Sequence, residues 1–238
     1  MCPGWQMDKS DNLAQMHGRS MLFAGAIPET GWHCHSADAW VFGLDRNIQV
    51  VLSGQVMETR SAAIPAGTSH RIVANDTRFC VVYADPLMGT RQSQVRRLTS
   101  QTEEADWLGR LIKITDSRDP LEAAAVFMQE RQSSLKQLDS RIGQVLDEIQ
   151  TRIDENIPAG ELATSAGISE SHLRSLVADG VGLPLRRFRL WMRLLRAIEL
   201  LSAQRKMTPA ALDAGFSNPS HFSTAFRQHF GLAPRTVL

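Results

Sequence analysis

The sequence has few cysteines, no long apolar run and almost no net charge. Its three cysteines, Cys2, Cys34 and Cys80, are too few and too scattered for a disulfide framework, and there is no CxxC pair of the kind that zinc fingers use. The longest apolar runs, such as residues 123–128, fall far short of the ~20 residues that span a bilayer. The first residues lack the basic and apolar regions of a signal peptide, so we expect a cytoplasmic protein with no membrane partner.

The 238 residues have a formal net charge of +1, but the charge is unevenly distributed. Residues 1–138 contain 14 Lys and Arg against 15 acidic residues. Residues 164–238 contain ten Lys and Arg against four acidic residues, and nine of those ten basic residues are arginine. A local basic surplus of this kind suggests a polyanionic partner, although a solvated basic face would give the same count.

The N-terminal part of the chain has the pattern of an antiparallel β domain. Between residues 19 and 85, short apolar stretches alternate with turn residues such as Gly, Pro, Asn and Asp. Many short strands at regular spacing are typical of a sandwich or a barrel. The predicted strands contain residues 21–23, 39–42, 48–52, 71–73 and 79–83.

From about Thr102 the periodicity becomes helical. Trp107, Leu108 and Leu111 share a stripe that suggests an interdomain core or a dimer face, and Asp119-Pro120 predicts a helix start. We therefore expect an α+β chain of three parts. These are an N-terminal antiparallel barrel at 1–95, a helical linker and dimerisation region at 96–138, and an all-α domain at 139–238.

Two helix–turn–helix patterns stand in series in the C-terminal third. In each, a helix of small residues ends at a glycine, Gly167 or Gly215, which suits the left-handed position after a helix. An apolar residue follows, and then a serine, Ser169 or Ser217, that should cap or lead into a second helix. The second helix of such a unit enters the major groove of DNA.

The polar side of each second helix is expected to read base edges. A long basic helix that starts at Pro184 joins the two patterns, and some 18 residues at ~1.5 Å each make it about 27 Å long, close to the ~34 Å between successive major-groove faces. Its arginines expected near phosphates are Arg186, Arg187, Arg189 and Arg193. The predicted base-contacting residues are Ser171, His172, Arg174 and Ser175 in the first helix, and Asn218, Ser220, His221, Thr224 and Arg227 in the second.

Residues 140–238 resemble the DNA-binding domain of the AraC/XylS family of bacterial transcription regulators. The stretch from Ala211 to Pro234 matches the family pattern A-x-x-x-G-F-x-[SN]-x-x-[YH]-F-x-x-x-F-[RK]-x-x-[FY]-G-x-x-P nearly throughout. Ala211-Leu212 and Val177-Ala178 depart from the family's usual Ile-Ala and Phe-Lys. The resemblance implies a transcription regulator that is not an enzyme, with double-stranded DNA, a small-molecule effector, a second copy of the chain and RNA polymerase as partners.

Three histidines in the N-terminal part form a second constellation. His33 and His35 stand in a Gly-Trp-His-Cys-His run, and His70 ends a Pro-Ala-Gly-Thr-Ser-His run. Alternate residues of a strand share a face, so His33 and His35 should point together. The pattern resembles the cupin barrel, which AraC-type regulators often carry as an effector sensor. Metal-binding cupins add a Glu a few residues after the second histidine, where this chain offers only Asp38, too early in the spacing.

The resemblance leaves the use of these histidines open. One occupant is a divalent transition metal ion at His33, His35 and His70, since imidazoles suit zinc, copper, iron or nickel. The other is an effector without metal, in a pocket lined by the same three histidines and Trp40. Two other functions also stay open: a metal-dependent cupin enzyme, and a DNA-binding regulator whose barrel only dimerises. Cys34 is expected to be buried.

Overall fold

The computed structural model describes residues 13–75, 77–88, 96–97, 106, 109–113, 139–203 and 205–237. Antiparallel strands occupy the N-terminal part and helices the C-terminal part, so the predicted α+β two-part architecture is confirmed. No helix in these ranges is long and apolar enough to cross a membrane. Trp107, Leu108 and the predicted helix start at Asp119-Pro120 lie outside the described residues.

The strands form two antiparallel sheets. One sheet has the order β1-β2-β8-β3-β6-β9, and the other has the order β5-β4-β7. The five strands predicted from the sequence correspond to β2, β3, β4, β7 and β8. The strand bounds are β1 (Leu13–His17), β2 (Ser20–Gly25), β3 (Ala39–Gly43), β4 (Ile48–Leu52), β5 (Gln55–Thr59), β6 (Ser61–Ile64), β7 (Arg71–Val73), β8 (Phe79–Tyr83) and β9 (Arg96–Arg97).

The predicted closed barrel is seen as two separate sheets. No strand pairing among the described residues joins them, although isolated bridges tie Glu29 to Val73 and His33 to His70. Strand β9 pairs with β6, so the first sheet takes in two residues of the segment predicted as helical linker. The register of the strand pairs is set by alternate apolar residues that face the core. Phe79, Val81 and Tyr83 of β8 are an example.

The C-terminal part consists of helices joined by short turns, and a 3₁₀ turn at Pro86–Met88 follows the last long strand. The first helix begins at an Asp139 cap, whose carboxylate accepts the backbone N–H of Arg141 at 3.0 Å. The helix bounds are α1 (Ser140–Thr151), α2 (Ala159–Ser165), α3 (Glu170–Val181), α4 (Leu185–Ser202), α5 (Met207–Asp213), α6 (Pro219–Phe230) and α7 (Pro234–Val237).

The long helix α4 is the centre of the helical part. Its predicted apolar stripe is confirmed, because Phe188, Trp191 and Ile198 are fully buried. The helix was predicted to start at Pro184. It begins at Leu185, and Pro184 takes the N-cap position before it. Full burial of a large apolar side chain contributes about 1.5–3 kcal/mol, so this stripe fixes α4 against the helices on either side.

One continuous hydrophobic core runs from the sheets into the helices. The ring of Tyr83 on β8 lies 6.0 Å from Trp191 on α4 and 5.3 Å from Phe230 on α6, measured between ring centroids. The other face of the first sheet has a smaller cluster, in which Trp40 and Ile112 pack around the buried Leu111. The helical part is therefore packed directly on the sheets and shares their core.

Candidate nucleic-acid interface and three-histidine site

Each of the two helix pairs, α2–α3 and α5–α6, turns at a glycine with positive φ. Gly167 has φ +66° and Gly215 has φ +81°, as the sequence predicted for the position after a helix. The surroundings of the two glycines differ. A Cβ added at Gly215 would lie 2.4 Å from the carbonyl oxygen of Ile153, whereas one added at Gly167 would have no neighbour within 4 Å.

A side chain caps the N-terminus of each second helix, but the capping residue differs between the two helices. The Ser169 hydroxyl accepts the backbone N–H of His172 at 3.2 Å, which confirms Ser169 as the cap of α3. In the second pair Asn218 is the cap, since its side-chain oxygen accepts the N–H of His221 at 2.8 Å. The alternative that Ser217 caps α6 is therefore wrong, and the side-chain oxygen of Asn218 is engaged in its own helix.

The second helices keep the predicted division into two sides. Leu173 and Val177 of α3 and Phe222 and Phe226 of α6 are fully buried. Arg174 pairs with Glu170 one turn earlier, Nε to Oε1 3.1 Å, and such exposed pairs contribute little. All the residues predicted to contact bases are exposed: Ser171, His172, Arg174, Ser175, Asn218, Ser220, His221, Thr224 and Arg227.

The four arginines predicted near phosphates have different surroundings. Arg186 and Arg187 are exposed, and Arg187 lies beside Gly67 of the sheet part, where an added Cβ would be 3.0 Å from its Nη1. Arg189 is half-buried. Burial lowers its pKa, and the positive charges of Arg193 and Arg174 lower it further.

Arg193 is half-buried, and a position of this side chain near phosphates stays a prediction. Its Nε and Nη2 donate to the backbone oxygens of Ile153 and Glu155 at 3.3 and 2.9 Å, so it fixes the turn after α1.

The three histidines of the N-terminal part lie together in one buried site. His33 is only 4% exposed, and His35 and His70 are each 1% exposed. Each Nδ1 donates to a backbone carbonyl: His33 to Gly31 at 2.9 Å, His35 to Ala37 at 2.7 Å and His70 to Thr68 at 2.9 Å. A carbonyl can only accept, so each Nδ1 has the proton and each Nε2 has a free lone pair.

The rings of the three histidines lie close together. One ring nitrogen of each histidine lies within 4.8 Å of the other two. Burial, assisted by His70, lowers the pKa of His33 to about 3, and burial also lowers the pKa of His35 and His70. The Nε2 of His35 is buried and has no hydrogen-bond partner. A buried acceptor without a partner is costly, so this arrangement would be stabilised by a cation at its centre.

The structure corrects three expectations about this region. His33 and His35 do not lie on a regular strand; an antiparallel bridge pairs His33 with His70, with reciprocal N–H to O distances of 2.9 and 3.0 Å. Trp40 packs on the opposite face of the first sheet and does not join the histidines. Cys34 is half-buried rather than buried.

No carboxylate completes the site among the described residues. Asp38 instead accepts the backbone N–H of Ala66 at 2.8 Å.

One residue that the sequence analysis did not single out lies next to this site. His229, near the end of α6, is 2% exposed, and its Nε2 accepts the backbone N–H of Ser36 at 3.1 Å. Its ring stacks on Trp191 at 5.3 Å with an interplanar angle of 28°. The signal was its spacing, because His229 follows Phe222 and Phe226 on the apolar stripe of α6.

Comparison with known proteins agrees with this geometry. Residues 162–238 match a family model described as a helix-turn-helix domain. The HTH-type transcriptional activator RhaS of an Enterobacter species is 29% identical over 153 residues, which cover 60% of this chain. In this region the chain is similar to HTH-type transcription regulators. It spans about half of the matched relative's length, 53% for RhaS.

Two solved structures match the chain over both its sheets and its helices. A crystal structure of an apo single-residue variant of ToxT from Vibrio cholerae matches with a TM-score of 0.60 at 11% identity, and the match covers 93% of this chain and 97% of that one. A structure of wild-type ToxT with an unsaturated fatty acid bound matches with a TM-score of 0.58 at 12% identity, covering 90% and 92%. At this identity the likeness shows the fold alone.

Proposed function

We propose that this chain is an AraC-family, sequence-specific DNA-binding regulator of transcription, with α2–α3 and α5–α6 as two helix-turn-helix units. The observation that carries the proposal is the pair of second helices, each capped by a side chain and each with a polar face left exposed. The buried stripe of α4 holds the two units on one rod. The RhaS relatives, named as HTH-type transcriptional activators, support it, and no relative named above is an enzyme.

In this proposal base edges are read by the exposed polar residues of α3 and α6, and phosphates by Arg186 and Arg187 at the start of α4. The basic surplus of the C-terminal third supports a DNA partner. We extend the proposal to the assembly: residues 139–238 form the DNA-binding domain, residues 96–138 link and dimerise, and residues 1–95 form a cupin-like sensor barrel. A homodimer would double the number of reading helices, and RNA polymerase is the expected partner when binding activates transcription.

The DNA-binding proposal is tested by selection. The full chain is incubated with a pool of random-sequence duplexes, and bound DNA is sequenced over several rounds. We expect enrichment of a motif with two parts about one helical turn apart, ~10 base pairs. Failure to enrich any motif over the starting pool would refute sequence-specific binding.

A paired variant locates the reading residues. Arg174→Ala combined with Arg227→Ala should lose the enriched motif, because it removes one long polar side chain from each reading helix. Arg46→Ala, which removes an exposed arginine from the sheet part, is the control and should select the same motif as the wild type.

We further propose that the three-histidine site binds a divalent transition metal ion as effector. Three features support it: the ring nitrogens of the three histidines within 4.8 Å of one another, the buried Nε2 of His35 without a partner, and the Nδ1–carbonyl bonds. Metal-binding histidines commonly donate their other ring nitrogen in this way. His33, His35 and His70 would hold the ion.

An organic effector is the second candidate, because ToxT has been crystallised with an unsaturated fatty acid. Equilibrium dialysis distinguishes the metal ion from an organic effector. The full chain is stripped of metal with EDTA and dialysed against Zn²⁺. We expect one zinc ion per chain, and strong loss of binding in His35→Ala. His172→Ala, an exposed histidine on α3, is the control and should bind zinc as the wild type does. Equal zinc binding by all three proteins would exclude this site.

The remaining alternative, a metal-dependent cupin enzyme, has less support. Among the described residues no carboxylate lies with the three histidines. Asp38 is engaged by the backbone of Ala66, so a general acid or base beside the ion is lacking there.

A further inference from the structure

The segment that provides two of the three histidines is hydrogen-bonded to the end of the second reading helix. We call residues 31–36 the strap. The backbone N–H groups of Gly31 and Cys34 donate to the oxygens of Gly231 and Gln228 at 2.8 and 3.1 Å. The N–H of Ser36 donates to His229. The last carbonyls of a helix have no partner within the helix, so the strap satisfies groups that α6 leaves open.

The contact between the strap and α6 is tight. Gly231 caps α6 with φ +72°, and a Cβ at this position would lie 2.6 Å from Nδ1 of His33 and 2.7 Å from the oxygen of Gly31. Closely packed contacts of this kind change by shifting between arrangements and do not compress gradually. A movement of the strap therefore has to be accompanied by a movement at the end of α6.

Further contacts hold the helical part to the sheets, and His229 takes part in them. His229 stacks on Trp191 of α4, and the indole N–H of Trp191 donates to the oxygen of Arg19 at 3.0 Å. The first reading helix α3 packs near the 3₁₀ turn at Pro86–Met88. Helix α6 thus contacts the sheet part and α3 lies near the turn that follows it, and the strap contact lies directly beside the histidines.

An ion would require this site to contract. The separation between the ring nitrogens reaches 4.8 Å. Imidazole nitrogens bind zinc at about 2.0–2.1 Å, which places two tetrahedral ligands roughly 3.3 Å apart. The most widely separated of these nitrogens must therefore approach one another by up to about 1.5 Å, and two of the three histidines are on the strap.

We propose that a metal ion at the three-histidine site acts on DNA binding through the strap, by shifting the end of the second reading helix α6. This inference rests on the proposed function, namely metal binding at the histidines and DNA binding by α3 and α6. The strap is then the connection between them: it brings His33 and His35 to the ion and donates hydrogen bonds to the last turn of α6.

The coupling has a quantitative consequence. If the ion changes the affinity for DNA by some factor, DNA changes the affinity for the ion by the same factor, because the two binding equilibria share one thermodynamic cycle. Typical coupling factors are about 5–150-fold.

The test measures both affinities on the full chain. The DNA is a duplex obtained from the selection described above, and its Kd is measured with EDTA and with saturating Zn²⁺. The Kd for Zn²⁺ is then measured with and without that duplex. We expect two equal factors of about fivefold or more, in either direction. Factors below twofold, with zinc and DNA both bound, would overturn the inference.

Two variants of His229 test the route. His229→Leu removes the acceptor of the Ser36 N–H but leaves the three histidines and the exposed residues of α6 in place. His229→Gln offers an oxygen acceptor at the same position and is the matched control. We expect at least a threefold smaller coupling factor in His229→Leu than in His229→Gln, with zinc bound by both. Equal factors in the two variants would exclude the strap as the route.

A measurement on the wild type keeps the inference testable if these variants fold poorly. Hydrogen exchange is followed in peptides that contain the strap and the end of α6, with and without Zn²⁺. We expect altered exchange in both, whereas a change confined to the strap would overturn the inference. The failures are separable: no zinc binding refutes the metal site, no DNA binding refutes the regulator, and independent binding of both refutes the coupling.

Discussion

Replacing Gly215 by alanine should strongly destabilise the helical part, because the turn between α5 and α6 has no space for a side chain. Its φ of +81° is left-handed, which costs a residue with a Cβ about 1–2 kcal/mol. The added Cβ would also lie 2.4 Å from the oxygen of Ile153 and 2.8 Å from Nε of Arg193. These atoms must move, and overpacking of this kind costs about 1–3 kcal/mol.

The displaced atoms include a hydrogen bond, since Nε of Arg193 donates to the oxygen of Ile153 at 3.3 Å. We therefore expect Gly215→Ala to lower the free energy of unfolding by about 2–5 kcal/mol. The control is Gly167→Ala at the matching turn. Its φ of +66° is also left-handed, but no atom lies within 4 Å of the added Cβ, so only about 1–2 kcal/mol is expected.

Thermal unfolding of the full chain, followed by helical circular dichroism, measures both variants. For a chain of this size each kcal/mol lowers Tm by about 2–4 °C, so Gly215→Ala should lie several degrees below Gly167→Ala. The smaller conformational freedom of alanine in the unfolded chain affects both variants equally and cancels in the comparison. Equal losses in the two variants would refute the reasoning from the crowded turn.

Three further outcomes are expected. Arg227→Ala should weaken binding to the selected DNA by about 1–3 kcal/mol and relax the preference at one base position, measured by competition with altered duplexes; unchanged preference would contradict a base contact. Arg186→Ala should lower affinity evenly for all sequences and reduce the slope of log Kd against log salt by about one, and an unchanged slope would rule out a phosphate contact. Asn218→Ala should cost about 1 kcal/mol of stability through loss of the α6 cap, seen as a lower Tm, with Asn218→Ser as the control that keeps a capping oxygen; equal Tm values for the two variants would contradict the capping role.

The local patterns of the sequence predicted much of the helical part. The glycines at the two turns, the Ser169 cap and the buried stripe of α4 all depend on residues close together in the chain, and all are confirmed. The second cap was assigned to Ser217 as one alternative, although Asn218 next to it takes that role. Both residue types cap helices well, so composition could not distinguish adjacent positions.

Expectations that depend on distant residues were less accurate. The sequence grouped Trp40 with the histidines, but the pleat of β3 places it on the opposite face of the sheet. Arg193 was expected near DNA because it is charged and lies on a basic helix. Nothing in the sequence indicated that its side chain also donates to the backbone oxygens of Ile153 and Glu155, 40 and 38 positions earlier in the chain.

The sequence by itself determined five of the nine described strands and the helical periodicity of the C-terminal part, because periodicity, glycine turns and caps act over a few residues. It also identified the three histidines as a set. Only the tertiary structure decided where that set lies: beside α6, with the strap hydrogen-bonded to Gln228, His229 and Gly231. Contacts between residues nearly 200 positions apart leave no local pattern, since they arise from the packing of the helices on the sheets.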